Sequence, residues 1–453
     1  MMPLPLSRLL WQALYNALLP PLALLLRLAA LRSAKLRDTL AGHRGLWARL
    51  EAALAARDPA RPLLWFHVAS AGEFLQAVPV LQRCAAEGYQ SVLTVTSVSG
   101  YRWAQRRREA LPGLLAVDYL PLDTRRNVRR LLGLLRPAAL VYTKYDLWPN
   151  LVWGAARAGV PQYLLAATLH ERSWRVRSAL ARSLYRTLYA PLAGIFAVTE
   201  ADAARFLATA PGHAGVAVLG DTRFDSVLAR RDAVVPPPLP PYDPAEGTVL
   251  VVGSAWPPDE QRIVPGLQEA LGRYPELRLL LVPHEVDAPH LAALEAAFAA
   301  WPTARFSALQ APGAQPPRWR VLIVDTVGLL SALYAGAALA YVGGAFSTGV
   351  HNVTEPAAMG APPIFGPFHQ NSPEAVHLVA QGLAYSIADA ESFRRVLTAL
   401  LDDPARCREL GARARAYVES QAGAAERSWA RIRAGLASAP AATPAVPPTG
   451  AER

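Results

Sequence analysis

The stretch 234–244, V-V-P-P-P-L-P-P-Y-D-P, limits the fold more than any other, because it can be neither a helix interior nor a central strand. It predicts a stiff, extended connector near the middle of a 453-residue chain. A chain of that length is too long for one ordinary core, and a hydrophobic content of 52% suffices for two. The expected organisation is an apolar segment over 1–32, a first domain over 33–233, the connector over 234–247 and a second domain over 248–436. An Ala- and Pro-rich tail without periodicity, 437–453, is expected to be disordered.

Each half repeats one pattern. In the first, apolar runs at 63–68, 91–96, 138–142, 162–166 and 194–198 alternate with helical segments; in the second, runs at 248–252, 277–282, 321–324, 338–342 and 363–365 do the same, with helices such as 259–274 and 291–300 between them. Short buried strands separated by helices make parallel sheets. The fold class read from this is α/β, with two doubly wound, Rossmann-like domains facing a central cleft and ligands at the carboxyl ends of the strands. That is the GT-B arrangement of sugar-nucleotide glycosyltransferases.

The stretch 9–31, L-L-W-Q-A-L-Y-N-A-L-L-P-P-L-A-L-L-L-R-L-A-A-L, is long enough to cross a bilayer but is interrupted by Pro20-Pro21 and carries Arg27. Arg32, Lys35, Arg37, Arg44 and Arg49 follow it, which keeps the rest of the chain cytoplasmic by the positive-inside rule, with Trp11 and Tyr15 suited to the interface. No small-residue cleavage site follows, so the expectation is a retained membrane anchor that either spans or lies in the cytoplasmic face; the alternative is an apolar helix buried against the first domain. The net charge of +11 is carried almost wholly by arginine, Lys35 and Lys144 being the only lysines, and favours anionic partners. Cys84 and Cys407 stand far apart with no C-x-x-C, so neither a disulfide framework nor a zinc site is expected, and a reducing, cytosolic setting fits.

The motifs that carry chemistry follow strands. W-F-H-V-A-S-A-G-E-F, 65–74, places Ser70, Gly72 and Glu73 in a turn that opens a helix. Glu73 there can take a proton from an attacking hydroxyl, while Ser70 and Glu73 also read as an S-x-x-E capping box with no catalytic meaning; both readings stand. V-Y-T-K-Y-D-L-W-P-N-L, 141–151, brings Lys144 and Asp146 into one loop, suited to an anionic sugar or phosphate and a hydroxyl, or merely a surface pair. T-V-T-S-V-S-G, 94–100, is a hydroxyl-rich turn whose following helix offers amides to a phosphate, a weak signal alone. In the second half, Gly253-Ser254, His284 and Asp325-Thr326 with Gly328 end successive strands and are expected to meet the loop G-G-A-F-S-T-G-V-H-N-V-T-E-P, 343–356. Gly343 and Gly344 allow close approach to a ligand. Glu355, beside Pro356 at a helix start, is expected to stay ionised and accept from the vicinal hydroxyls of a ribose, or else only to cap the helix. No metal triad or D-x-D spacing occurs, and no cofactor is expected.

Jointly these segments resemble the bacterial Kdo transferases, which move 3-deoxy-D-manno-oct-2-ulosonic acid (Kdo) from CMP-Kdo to a lipid A precursor. The resemblance covers the apolar segment, H-V-A-S-A-G-E-F at 67–74, D-L-W-P-N-L at 146–151, G-D-T-R-F-D at 220–225, D-T-V-G-L-L at 325–330 and V-G-G-A-F-S-T-G-V-H-N-V-T-E-P-A at 342–357. It implies Glu73 as catalytic base, Asn352 and Glu355 in the CMP-binding motif with Gly343 and Gly344 beside it, and inversion at the anomeric carbon. It further implies inner-membrane lipids as surroundings, catalytic domains on the cytoplasmic side and no nucleic-acid partner. Many members carry E-T-E-L-W-P-N, where this chain has Lys144-Tyr145-Asp146 before Leu147-Trp148, so the first acidic position is basic. CMP leaves as a monophosphate with less charge to neutralise than a diphosphate, which agrees with metal-free transfer. The rivals are another GT-B transferase or epimerase, and an inactive membrane scaffold with the same fold.

Overall fold

The computed structural model describes residues 6–237, 239, 247–310 and 317–438. Its contacts divide it into two compact units, one running to Ser226 and resuming at Ala422, the other spanning Val227–Gln421. The first contains β1 (Leu63–Val68), β2 (Gln90–Val95), β3 (Leu114–Tyr119), β4 (Ala139–Thr143), β5 (Gln162–Ala167), β6 (Gly194–Ala197) and β7 (Val216–Val218), in the spatial order β3-β2-β1-β4-β5-β6-β7 and paired in parallel throughout. The second contains β8 (Thr248–Ala255), β9 (Leu277–Pro283), β10 (Thr303–Arg305), β11 (Val321–Ile323), β12 (Leu339–Val342), β13 (Pro363–Phe365) and β14 (Tyr385–Ser386), in the order β10-β11-β9-β8-β12-β13-β14, again parallel. Each sheet reverses its winding once, between β1 and β4 and between β8 and β12.

The side chains of β1 show why a continuous apolar run forms a central strand. All six residues are buried, and alternate ones enter opposite layers: Leu63 and Trp65 join Tyr142 and Trp153 on one side, and Leu64, Phe66 and Val68 join Phe74 and Trp429 on the other. Fully burying such a side chain contributes about 1.5–3 kcal/mol, so both layers are needed to hold the strand. Trp429 belongs to the helix Ala424–Ser438, whose Ala425 and Ile432 enter the same layer and whose Trp429 Nε1 donates to Glu87 at 2.8 Å. This helix therefore completes the first unit, whereas the sequence reading placed it with the second. The tail expected from 437 overlaps the last two residues of that helix, and 439–453 lie outside the described residues.

The helix Thr222–Ala233 carries the chain across the boundary between the units. Residues 234–237 leave it without helical structure, and Val234 and Leu239 pack into the core of the second unit, so the proline-rich connector starts inside that unit rather than at its edge. Residues 238 and 240–246 of the expected connector lie outside the described residues. At the other end, Leu6–Ala30 forms one helix that runs through Pro20 and Pro21 without the expected interruption. Both prolines are exposed. Both cysteines are buried and free.

Candidate active site

The candidate residues of the first unit gather where its sheet reverses winding, which is where open α/β sheets bind ligands. Ser70 caps the helix Ala71–Ala86 immediately after β1, its Oγ accepting the Glu73 amide at 3.5 Å. The Glu73 side chain folds back over the turn, and its Oε2 accepts the N–H of Ala69 at 2.5 Å. A true capping box returns the carboxylate to the capping residue itself. Here it reaches one residue further, onto the end of the strand, so the box is only half made. Glu73 is 5% exposed. Burial pushes its carboxyl above the ordinary range, against the lowering effect of the Ala69 amide; nearby Asp146 adds to the rise, and Lys144 and His67 oppose it. A Cβ on Gly72 would meet only Ser70 Oγ, at 3.9 Å, so the side of the turn beyond Gly72 is open.

Asp146 follows β4, the strand that pairs with β1 across the reversal. Its Oδ2 meets His67 Nε2 at 3.0 Å and accepts from Thr96 Oγ1 at 3.2 Å and Trp148 Nε1 at 3.3 Å. Burial pushes this carboxyl up, but the donors, His67 first, outweigh it and hold Asp146 below the usual range. An ionised Asp146 requires the proton on His67 Nε2. His67 Nδ1 lies 2.9 Å from Thr94 Oγ1, and that oxygen accepts Trp65 Nε1 at 2.8 Å. Two neighbouring carboxyls are thus driven apart, Glu73 towards the neutral form and Asp146 towards the charged one, an arrangement suited to distinct proton-transfer and orienting roles.

Lys144 adopts φ +64°, with its N–H on Leu165 O at 2.7 Å and its Nζ 5.7 Å from the Tyr145 ring centre. It makes no ion pair with Asp146 among the described residues, so the surface-pair reading does not hold. The left-handed backbone is costly for a lysine, which marks this as a position held by its surroundings. Three of the four hydroxyls of 94–100 are engaged: Thr94 and Thr96 with His67 and Asp146, and Ser97 as the cap of Val98–Arg107 through the Gly100 amide at 3.1 Å. That turn supports the histidine, and Ser99 is exposed in the first turn of the following helix.

In the second unit the corresponding reversal lies between β8 and β12. Gly253 and Ser254 form a bulge at the end of β8, Ser254 at φ +54°. Gly343 packs so closely on Ser254 that a Cβ would overlap its carbonyl, and Gly344 turns at φ +93° against His351. Asp259, fully buried and passed over by the sequence reading, ties these pieces together. Its Oδ2 accepts the amides of Trp256 at 3.0 Å and Gly344 at 2.9 Å, and its Oδ1 accepts Tyr341 Oη–H at 2.9 Å. The signal was available in W-P-P-D, a helix start with an acid at the third helical position.

His284, exposed after β9, stacks on Trp256 with ring centres 4.1 Å apart and on His351 at 4.8 Å. Trp256 Nε1 donates to His351 Nε2 at 3.0 Å, and burial, then His284, lowers the affinity of His351 for a second proton. Asn352 Oδ1 accepts the Thr354 amide at 3.1 Å, shaping the entry to the short helix Thr354–Met359. Glu355 Oε1 pairs with Arg230 at 2.9 Å, a partner the sequence reading missed. Burial raises the Glu355 carboxyl, while Arg230 and then Asn352 oppose the rise. Asp325 is turned away to Ser307, accepting its amide at 2.9 Å and its hydroxyl at 2.5 Å, and Thr326 and Gly328 are exposed after β11, two strands from β8. No group of three or more potential metal ligands converges among the described residues.

A sequence profile described as 3-deoxy-D-manno-octulosonic-acid transferase (kdotransferase) matches residues 44–226. The 3-deoxy-D-manno-octulosonic acid transferase of Bordetella pertussis is 31% identical over 398 residues, covering 82% of this chain and 88% of that one. The chain belongs to this family. The Kdo transferase of Chlamydophila psittaci is similarly related, at 29% identity over 381 residues, covering 81% and 84% of the two chains. Membership makes the protein an enzyme of the glycosyltransferase class. Solved structures agree on the fold: a UDP-GlcNAc 2-epimerase from Neisseria meningitidis superposes with TM-score 0.59 over 83% of this chain and 100% of its own at 12% identity. The calicheamicin glycosyltransferase CalG4 does so with TM-score 0.52 over 84% and 99% at 16% identity. The Kdo transferase thus has the GT-B type of architecture, two doubly wound parallel sheets.

Proposed function

We propose that this Kdo transferase moves Kdo from CMP-Kdo to a lipid A precursor, lipid IVA, with inversion, without a metal, and with Glu73 as general base. The observation that carries the reading is the buried Glu73 at the reversal of the first sheet, its carboxyl raised while the adjacent Asp146 is held ionised. Glu73 Oε1 accepts no bond within the described residues and is the oxygen for an incoming hydroxyl. As the acceptor oxygen forms its bond to the anomeric carbon, its proton passes to Glu73. The bond from that carbon to the CMP phosphate breaks, and the electron pair leaves on the phosphate. Asp146 and Lys144 are assigned to the acceptor or the Kdo carboxylate, together with Ser70 and Gly72 at the turn. Gly253, Ser254, His284, Gly343, Gly344, Asn352 and Glu355 are assigned to CMP, with Asp325, Thr326 and Gly328 at its periphery. The catalytic units work on the cytoplasmic side of the inner membrane.

Glu355→Gln is expected to weaken CMP binding roughly tenfold or more, because hydrogen bonds to a charged group contribute about 1.5–3 kcal/mol and an amide is the poorer acceptor for two hydroxyls. Titration calorimetry with CMP measures it, and unchanged affinity would leave Glu355 as the partner of Arg230 alone. The decisive assay combines purified protein, CMP-Kdo and tetraacylated disaccharide, with products weighed by mass spectrometry in the presence of EDTA. Transfer should persist; its loss on chelation and return with a divalent cation would refute the metal-free step. Preference for UDP over CMP would instead favour a UDP-sugar enzyme.

A further inference from the structure

The N-terminal helix has its polarity inside out. A helix lying on a soluble domain buries an apolar stripe and turns polar residues to water. Along Leu6–Ala30 every exposed residue from 9 to 26 is Leu, Ala or Pro, and Leu10, Leu18, Leu24 and Leu25 are 55–63% exposed. The polar side chains face the domain instead. Arg8 donates to Trp153 O at 3.3 Å, Trp11 Nε1 to Ser183 Oγ at 3.1 Å and Tyr15 Oη to Asp123 Oδ2 at 3.0 Å. Asn16 and Asn150 exchange amide bonds at 3.1 and 3.0 Å, and Gln12 is buried.

Neither of the usual accounts of such a helix fits. The core helix of a soluble protein does not leave its leucines outside. A helix standing across a bilayer would have to leave the domain, stripping Tyr15 and Asn16 of their partners and carrying Arg8, Gln12 and Asn16 into hydrocarbon, where unpaired polar groups are costly. We propose that the helix stays docked on the first unit by these bonds and lies flat in the interface of an anionic bilayer, its leucine face among the acyl chains. Charge complementarity favours that surface. Arg27 is exposed beside the leucines, Arg32 and Arg44 follow, and Arg177 and Arg182 are exposed on the segments around Ser183, the residue that Trp11 bonds. Trp174 and Leu180, 58% and 68% exposed on those same segments, extend the apolar area. Arginine at the margin of an apolar face reaches the headgroups while its stem stays in the apolar layer. Both ends of the helix then lie on the same side of the membrane as the two units.

Residue 7 reports this directly, since the native cysteines are buried. In Ser7→Cys, expressed full length in a Gram-negative host, a membrane-impermeant maleimide should label the cysteine only after the inner membrane is lysed. Labelling of intact spheroplasts would mean that the helix spans. In full-length Leu14→Glu/Leu18→Glu, binding to vesicles of phosphatidylethanolamine and phosphatidylglycerol should fall at least about tenfold, because the insertion energy of an in-plane helix scales with its apolar face. The melting temperature and CMP affinity should stay near native, since neither side chain belongs to a hydrophobic core of the protein. Undiminished vesicle binding, or a lowered melting temperature, overturns the in-plane assignment, and equal binding of the native chain to phosphatidylcholine vesicles overturns the anionic preference. The CMP measurement keeps failure of this proposal distinct from failure of the transfer reading.

Discussion

Glu73→Gln should lower the rate of Kdo transfer by about 10²–10⁴-fold, the usual contribution of general acid–base catalysis, with CMP affinity unaltered. Stability supplies the control. The folded carboxyl titrates above its unfolded value, so its contribution is neutral in acid, where both states are protonated, turns unfavourable as pH rises past the unfolded value and is fully so above the folded one. At neutral pH glutamine removes that burden and can still accept the Ala69 amide, so the variant should melt at or above the native temperature. The native pH–rate profile should fall on its acid side at a pH above that of an ordinary glutamate, about 4.3. If Glu73 only capped its helix, glutamine would turn over normally and alanine would lose melting temperature. A glutamine variant with native turnover would remove Glu73 from the chemistry.

Asp259→Ala should be the most disruptive single change in the second unit. It leaves the amides of Trp256 and Gly344 and the Tyr341 hydroxyl without an acceptor in a buried place. Each orphaned group costs about 1–3 kcal/mol, and the sum for the three, about 3–9 kcal/mol, belongs to the severe tail of single substitutions. For a unit of this size each kcal/mol shifts melting by about 2–4 °C, so a fall of at least about 6 °C is expected in the transition that CMP protects. Asparagine should recover much of the loss, since its Oδ1 can accept both amides and its NH₂ can donate to the Tyr341 hydroxyl. CMP affinity should fall as well, because Asp259 fixes Gly344 relative to the end of β8. A variant that melts and binds CMP normally would show that the loop is held by other means.

The sheets were legible wherever burial on both faces forced a continuous apolar run. β1 and β13 match the expected limits, and the other central strands come within a few residues. The four strands that went unread, β3, β7, β10 and β14, are the four edges. An edge needs cover on fewer sides, and β7, β10 and β14 are two or three residues of mostly intermediate burial, too short for any alternation to register. The same holds for the site. Glu73, Asp146 and the glycine loop could be read because they follow strands directly. His67 and His351 lay within the quoted motifs but their roles come from partners at distant positions, Asp146 and Trp256. Arg230 sits 125 positions before Glu355, and no local pattern links them.

The return of the final helix to the first unit has a consequence for synthesis. The whole of Val227–Gln421 is inserted between Ser226 and the helix that supplies Ala425, Trp429 and Ile432 to the layer beneath β1. On the ribosome the first sheet is therefore made long before its last core element emerges, and it waits with an unfilled apolar slot while the inserted unit is translated at about 5–20 residues per second. A nascent chain in that state exposes the surface chaperones recognise, and a fragment ending at Ser226 would keep it exposed permanently. Supplying residues 422–438 as a separate peptide should then restore solubility to such a fragment.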